Sequence, residues 1–396
     1  MIVKVALNWI QRIIARCWIA PLDTIIWEMV GLDRSSCWRV VRATIVWVRD
    51  LGRLVYTGFR ASVSRWDGSE WSVIYISDGS YGRSVRELQY LLFSGAPTGA
   101  QLGRVFIWQI PALVRRYVSR KCLVICDANR LLRWRFRGMY CIRALPWQRA
   151  LLDVSGSMDS IAGRMRTLRK RDLSKAQKLG LEYCVSDDLA DFELFYHKMY
   201  APYIGERYVE RAFIHSYEDL QKVFKKRGKL LCIKYQDDLV AAYFGTYRRY
   251  GSSFSALLMG VHQDYTRLVE RGVVTALYWY VTSWAHANEL SNVDFGRVRA
   301  RLNDGLFGFK RQMGVWFERD ILTHTVWTFV YEALPLSLVR RLNELAFIAE
   351  VGKEYQCVIL DGFGVVLSDK ELARRTKIAD QAGLGLFVLR PYDDRT

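Results

Sequence analysis

The sequence has few of the residue patterns that indicate a metal or redox site. Its eight cysteines show no CxxC spacing, and its five histidines form no run beside them. Structural zinc sites and redox pairs depend on such spacing. No metal site is therefore predicted, and the cysteines are expected to be reduced core residues.

Signals for covalent catalysis and for common nucleic-acid-binding modules are also missing. No Ser-His-Asp order, Walker-type glycine loop or spaced pair of carboxylates stands out, so no covalent enzyme intermediate is predicted. No helix-turn-helix, zinc or RNP pattern accompanies the basic residues.

The first 32 residues lack the long uncharged run of a membrane span and the cleavage site of a secretory signal. Apolar residues fall on one helical stripe, while Lys4, Arg12 and Arg16 interrupt it. Such a basic amphipathic helix suits the inner face of a membrane, but helices of this kind more often dock on their own domain.

What the chain has in abundance is apolar surface and positive charge. Of its 396 residues, 51% are hydrophobic and 14% aromatic, enough for a full core and for two domains. The net charge of +18 predicts an anionic partner: nucleic acid, a diphosphate-bearing substrate or a membrane surface.

Residues 33–150 are predicted to form a first domain that mixes strands and helices. β-branched and aromatic runs predict strands over 39–48, 54–64 and 71–76, with Asp67-Gly68 as a hairpin turn between the last two. Helical spacing predicts helices over 84–93 and 100–119, and an apolar run predicts a buried strand over 122–126.

Residues 151–325 are predicted to form a second domain. A strand ends at a helix start capped by Ser157 or Asp159, and a basic segment follows over 163–179. Three antiparallel strands are predicted over 230–235, 239–247 and 253–260, then a helix over 269–288 and a strand over 292–296. A helix that crosses over from such a meander adds a parallel strand to it.

Residues 326–396 are predicted to hold a strand over 357–360, a helix over 368–381 capped by Ser368, and a strand over 386–389. Two placements fit this segment. It completes the sheet of the first domain or packs behind the second.

Three strings within roughly 150–320 resemble the GNAT-like acyltransferases of the FemABX and CelD-related type, with a BioF2-like acetyltransferase domain. They are LRKRDLSKAQKLGLEY at 168–183, KLLCIKYQDDLVAAYFGTYRRYGSSFSALLMG at 229–260 and VDFGRVRARLNDGLFGFKRQMGV at 293–315. The resemblance implies an α/β fold of two GNAT-like halves, the first degenerate and the second better matched, with a C-terminal α/β extension.

The resemblance also implies acyl transfer from a thioester or an aminoacyl-tRNA ester to an amine, often on a peptidoglycan or exopolysaccharide precursor. No tightly bound cofactor is implied, and acyl-CoA or aminoacyl-tRNA is the co-substrate. The segment nearest to a coenzyme A pyrophosphate loop contains Arg271, Gly272 and Val273. It lacks the (Gln/Arg)-x-x-Gly-x-(Gly/Ala) spacing of ordinary GNAT enzymes, as the Fem-like branch does.

Lys310 is the first candidate catalytic residue. It follows Gly308 and Phe309 and precedes Arg311, and the family's corresponding lysine is associated with substrate phosphate and with the reacting carbonyl. Phe309 and Arg311 are therefore candidate substrate contacts. The alternative is a solvated lysine on a helix face.

The basic helix supplies a second set of candidates. Arg171 and Lys175 lie four residues apart and share a face, and together with Arg169 they are predicted to bind a diphosphate or an RNA backbone. The alternative is a solvated face. Seven basic residues with the single acid Asp172 repel one another, which favours an anionic partner.

Two further polar residues follow predicted strands. Asp294 is predicted to orient the lysine or to hold a substrate hydroxyl, and the alternative is that it caps a neighbouring turn. His262 lies at a strand exit beside the expected cleft, where a core or surface role competes with catalysis.

The leading hypothesis is a cytoplasmic or peripheral enzyme that moves an acyl group, with acyl-CoA favoured as donor, to an amine of a lipid-linked sugar or other envelope precursor by direct attack. One alternative is an aminoacyl-tRNA-dependent ligase. Another is a nucleic-acid-binding protein without catalytic activity.

Overall fold

A computed structural model describes residues 59–65, 72–77, 99–118, 122–129, 136, 139, 141–208, 214–247, 253–319, 325–331, 334, 336–351, 354–361 and 366–389. Several sequence predictions lie outside these residues. They are the N-terminal helix over 1–32, the strand over 39–48, the turn at 67–68 and the helix over 84–93.

The strands of the described residues follow in chain order: β1 Phe59–Arg65, β2 Ser72–Ser77, β3 Gly99–Val105, β4 Cys122–Asn129, β5 Cys141–Ala144, β6 Trp147–Asp153, β7 Glu182–Ser186, β8 Gly228–Tyr235, β9 Asp238–Tyr247, β10 Ser253–Val261, β11 Asn292–Arg299, β12 Trp316–Arg319, β13 Thr325–Val330, β14 Ile348–Val351, β15 Glu354–Leu360 and β16 Gly385–Leu389.

The α-helices of the same residues are α1 Ile110–Val118, α2 Met158–Arg164, α3 Thr167–Gln177, α4 Leu189–Leu194, α5 Ala201–Tyr208, α6 Tyr217–Arg227, α7 Val273–Ala287, α8 Gly305–Gln312, α9 Leu336–Leu345 and α10 Asp369–Asp380. Short 3-10 turns span Ile107–Gln109 and Gln263–Leu268, and a π-helical turn spans Phe195–Tyr200.

The chain forms two compact units. The first comprises Ala150–Gly296 with Gln312–Val315, and the second comprises Arg297–Arg311 with the described residues of 47–149 and 316–396. The domain limits expected from the sequence, at 32, 150 and 325, stay a prediction. The fold class is confirmed, because helices alternate with two sheets that each contain parallel and antiparallel pairs.

The second unit contains a nine-stranded sheet with the order β16-β15-β14-β5-β13-β4-β2-β1-β3. β13 lies between β4 and β5 and is antiparallel to both. Strands from residues 325–389 therefore complete the sheet that residues 59–144 begin. Two separate hydrophobic clusters contain buried residues of this sheet. One cluster includes Val339 of α9, and the other includes Val114 of α1.

The predicted helix over 100–119 was wrong in its first half. Residues 99–105 form β3, which pairs with β1 in antiparallel register, and the helix begins only at Ile110. The spacing of apolar residues by itself does not distinguish a helix from a strand over residues 99–105. Pairing with β1, which lies far away along the chain, decides for the strand.

The first unit contains β10, β9, β8 and β7 and the larger part of β6 and β11, six neighbouring strands of a seven-stranded sheet in the order β6-β11-β10-β9-β8-β7. The predicted meander is confirmed, because β8 pairs with β9 and β9 with β10, both antiparallel. Gln236 and Asp237 have φ of 53° and 66°, the left-handed conformation that a two-residue hairpin turn needs. α7 then leads into β11, which is parallel to β10.

Local capping agrees with the sequence at two helix starts. The Ser157 side chain accepts a hydrogen bond from the backbone N–H of Ser160 at the start of α2. The Ser368 side chain accepts one from the N–H of Glu371 at the start of α10. Each bond satisfies a backbone donor that the helix itself leaves open.

Candidate active site

In the first unit the parallel strands β10 and β11 pair over a short distance only. Three residue pairs join them, and the last is Ser255 with Asp294. β10 keeps its antiparallel pairing with β9 as far as Val261. One edge of β10 is therefore paired with β9, and the other edge is paired with β11 only over the first three residues of β10. Beyond Ser255 the strands β10 and β11 diverge.

Gly296 lies at this divergence. Residues other than glycine rarely adopt its backbone φ of +77°. A Cβ added there would lie 3.7 Å from the Ala256 carbonyl oxygen. β10 has a register irregularity between Ala256 and Leu258 against β9. Bulges of this kind redirect a strand and are frequent beside functional sites.

Buried polar side chains surround the same point. Asp294 is only 7% exposed, and the hydroxyls of Tyr243 and Tyr278 lie 3.4 Å apart, a long spacing for an O–H···O bond. The Phe295 ring stacks on Tyr278 with centroids 4.6 Å apart. Neither tyrosine was predicted from the sequence, because an inward-facing tyrosine in an apolar strand or helix has no signal beyond its periodicity.

Burial raises the pKa of Tyr243 above its ordinary value, the hydrogen bond with Tyr278 lowers it, and the charge of Asp294 raises it again. The hydroxyl of Tyr243 therefore stays protonated at physiological pH. Because its O–H is directed at the Tyr278 hydroxyl, the Tyr243 oxygen keeps an acceptor lone pair beside the buried carboxylate.

Asp294 itself caps the turn that follows it. Its Oδ1 accepts a hydrogen bond from the Gly296 N–H at 3.1 Å. This is the turn-capping role weighed from the sequence. The predicted role beside Lys310 stays a prediction, because the two residues belong to different units.

His262 begins the 3-10 turn that follows β10. Its Nδ1 accepts a hydrogen bond from the Asp264 N–H at 3.3 Å, and its ring centroid lies 5.7 Å from that of Tyr265. The catalytic role predicted for His262 stays a prediction beside this observed capping role.

The predicted coenzyme-binding segment lies at the start of α7. Gly272 is its N-cap, with φ of +92°, and a Cβ there would lie 2.2 Å from the Asp172 carbonyl oxygen. Arg271 is exposed, whereas Val273 is fully buried. Arg271 can therefore reach a ligand, and Val273 contributes a core side chain.

Arg169 connects α3 to its surroundings within the first unit. Its guanidinium pairs with Asp172 at 3.0 Å and donates to Gln312 Oε1 at 3.0 Å. A third, weaker contact joins it to Thr275 Oγ1 at 3.5 Å. These bonds already engage the group predicted to bind substrate.

The outward side of α3 is different. Arg171 and Lys175 are exposed there, and three more exposed basic residues accompany them: Lys170 within the helix, and Arg166 and Lys178 at its ends. Their predicted role in binding an anion stays a prediction. The single acid of the segment, Asp172, is paired with Arg169. The exposed half of this helix therefore carries positive charge only.

In the second unit Lys310 lies on the inner side of α8 and is 3% exposed. The alternative of a solvated helix-face lysine is therefore wrong. Phe309 is half-buried. Arg311 Nη1 donates to Gln381 Oε1 at 2.8 Å and to the Ile378 carbonyl oxygen at 3.4 Å, which ties α8 to α10.

Asp304 organises the start of α8. Its Oδ1 accepts from the N–H groups of Leu306 and Phe307, both at 3.0 Å. Its Oδ2 lies 3.4 Å from a guanidinium nitrogen of Arg299 and of Arg301. The sequence analysis missed this cluster, although an aspartate before a helix start is a capping signal.

Within the part of the chain that the structure describes, no group of three or more His, Cys, Asp or Glu side chains could hold a metal ion. The same residues include no helix that is long and apolar enough to cross a membrane.

Solved structures similar to this chain include FemX, with 10% identity, a TM-score of 0.37, and coverage of 71% of this chain and 90% of that one. L-PGS from Bacillus licheniformis is 12% identical, with a TM-score of 0.33 and coverage of 72% and 84%. A tandem GNAT protein from the clavulanic acid biosynthesis pathway is 11% identical, with a TM-score of 0.30 and coverage of 70% and 80%.

FemX and GNAT proteins are the kinds of protein that the sequence resembles, and at these identities the likeness concerns the fold alone. No family model matches the sequence, and no curated protein matches it.

Proposed function

We propose that the chain is an acyl or aminoacyl transferase that acts on an amine of a cell-envelope precursor, with an acyl thioester favoured as donor. The observation that supports this most is the divergence of β10 and β11 beside the buried group of Asp294, Tyr243 and Tyr278. The resemblance of residues 168–315 to GNAT-like acyltransferases points to the same chemistry.

In the proposed reaction the amine nitrogen attacks the thioester carbonyl carbon directly. A tetrahedral oxyanion forms, the carbon–sulfur bond breaks, and the thiolate leaves. Backbone N–H groups of β10 beyond Ser255 suit the oxyanion, and Asp294 suits the proton that the amine loses. Placement of the two reactants then supplies much of the rate, up to about 7–11 kcal/mol in favourable cases.

The donor is proposed to bind across the start of α7 and the outward side of α3. The N-terminus of a helix carries partial positive charge and open N–H groups, which favour phosphate. Exposed Arg271 lies at this end of α7, and Gly272 brings α7 against α3. This arrangement supports an anionic donor such as acyl-CoA.

The test is acyl transfer by the full chain from acyl-CoA thioesters of increasing length to amino-sugar acceptors, with free coenzyme A and acylated product measured by chromatography and mass spectrometry. Asp294→Asn and Tyr243→Phe should each lower kcat/KM about 100-fold. Tyr235→Phe, at the far end of β8, is the control and should leave it unchanged. Variants as active as the wild type would refute the assignment.

Lys310 needs a separate test because it is buried. Lys310→Met keeps the length of the side chain and removes the charge, while Lys310→Ala also leaves a cavity. Loss of turnover in both, with the fold intact, would support the catalytic role predicted from the sequence. A folded Lys310→Met protein with wild-type turnover would contradict it.

One observation favours the aminoacyl-tRNA-dependent alternative: five exposed basic residues lie on α3 and at its two ends, and no exposed acid accompanies them. tRNA binding that survives about 0.2 M salt, and that weakens in Arg171→Gln/Lys175→Gln but not in the α6 control Lys222→Gln, would favour this donor. RNA binding without any acyl transfer would instead favour a nucleic-acid-binding protein.

A further inference from the structure

Two large aromatic side chains lie exposed side by side in the second unit, just before α1. Phe106 is 45% exposed and Trp108 is 59% exposed. Their rings stack with centroids 5.0 Å apart and planes 3° apart. Stacking shields the inner faces of the rings and leaves their outer faces to solvent.

The turn that carries the pair has a defined backbone. The Phe106 N–H donates to Gln109 Oε1 at 2.9 Å, and the Gln109 N–H donates back to the Phe106 carbonyl oxygen at 2.9 Å. Ile110 and Val114, on the other side of the helix that follows, are fully buried. The aromatic pair is thus held outward by a helix that is anchored in the core of its own unit.

Positive charge lies on the same exposed face. Trp108, Ala112 and Arg115 have the spacing of successive helical turns, and all three are exposed. Arg116 is exposed beside them, and α1 contains no acidic residue. The rise of a helix separates the backbone positions of Trp108 and Arg115 by about 10 Å along its axis.

We propose that Phe106, Trp108, Arg115 and Arg116, the aromatic–basic patch, dock this protein on an anionic lipid surface. Tryptophan and phenylalanine rings partition into the boundary between headgroups and acyl chains. Arginines beside them pair with lipid phosphates, and the negative surface potential attracts them. The patch is distinct from the N-terminal segment over 1–32, and the inference does not depend on the proposed transferase activity.

Size argues against a protein occupant. The exposed parts of two aromatic side chains amount to about 200 Å². A stable protein interface needs roughly 800 Å² from each partner. A lipid surface has no such threshold, because each inserted ring and each neutralised charge contributes separately.

The experiment uses the full chain and vesicles of phosphatidylcholine, with or without about 30% phosphatidylglycerol, in a co-flotation assay. Binding should require the anionic lipid. Phe106→Ser/Trp108→Ser and Arg115→Gln/Arg116→Gln should each weaken it about tenfold or more. All four positions are exposed, so thermal unfolding should not change.

Two matched controls lie on the same unit. Val366→Ser removes an apolar side chain that is 88% exposed elsewhere, and Arg340→Gln removes an exposed charge from α9; both should bind vesicles as the wild type does. Binding that survives both patch variants would place the lipid contact elsewhere in the chain and overturn the proposal. If a patch variant changes the molecular mass measured by light scattering and leaves vesicle binding unchanged, the patch contacts a second copy of the chain, and the lipid proposal is overturned.

Discussion

The contact between α7 and α3 at Gly272 allows a sharp test of how the first unit is held together. Replacement by alanine places a methyl group 2.2 Å from the carbonyl oxygen of Asp172, at a φ of +92°. The obstructing atom belongs to the backbone of α3 and cannot rotate away. Either the two helices separate at this point or the start of α7 unwinds.

The two costs can be summed. The left-handed conformation costs a non-glycine residue about 1–2 kcal/mol. Overpacking against a rigid neighbour adds about 1–3 kcal/mol. Gly272→Ala should therefore lower the free energy of unfolding of this unit by about 2–5 kcal/mol, which would accelerate amide exchange of α3 and α7 by roughly 30-fold or more.

Hydrogen–deuterium exchange of peptides over 167–177 and 273–287, together with urea unfolding, measures this effect. Gly163→Ala is the matched control: it lies in α2 of the same unit, and a Cβ there meets nothing within 4 Å. Alanine should stabilise a helix at that position by up to about 1 kcal/mol. If the two variants unfold at the same urea concentration, the close approach at Gly272 is refuted.

Three other predictions concern single side chains. The hydrogen bond from Cys232 lowers the pKa of Cys184 to about 7, while burial raises that of Cys357 to about 12. Iodoacetamide at pH 7.5 should therefore label Cys184 faster than Cys357, as followed by peptide mass spectrometry, and equal labelling of the two would contradict this. Bonds from Arg374 and Arg375 lower the pKa of Glu371 to about 2, so its contribution to stability is present above about pH 4–5 and is lost as the pH falls toward 2. Because Glu371 lies near the surface, Glu371→Gln should lower the free energy of unfolding at pH 7 by less than about 1 kcal/mol, as measured by urea unfolding. A difference in stability between variant and wild type that does not change with pH would refute the link between the Glu371 charge and stability. Arg311→Met should lower the free energy of unfolding of the second unit by about 1–2 kcal/mol, and Gln381→Leu should lower it by a similar amount, as measured by urea unfolding. If Arg311→Met instead lowers activity and leaves the stability unchanged, Arg311 acts as a substrate contact.

The predictions that held depend on patterns within a few neighbouring residues. The meander over 228–261 shows in the sequence because strand-forming runs alternate with short polar turns, and the observed turn at Gln236 and Asp237 closes the first hairpin. The caps at Ser157 and Ser368 were predicted for the same reason, since a cap acts on a backbone group three residues away.

The helix predicted over 100–119 failed at its start because its competitor is distant. β3 exists through pairing with β1, about forty residues earlier in the chain, as in the pair of Ala100 with Val63. The periodicity of a short segment does not show whether a distant strand will pair with it.

The sequence by itself therefore determined the three-strand meander over 228–261 with the helix and strand that follow it, the basic character of α3 and the absence of common metal and covalent-catalysis motifs, because composition and periodicity act locally. Only the tertiary structure decided which charges stay available: Arg169 and Arg311 are engaged by side chains 143 and 70 residues away, and Lys310 is buried. Burial and pairing across such separations depend on how the chain packs, which no local pattern encodes.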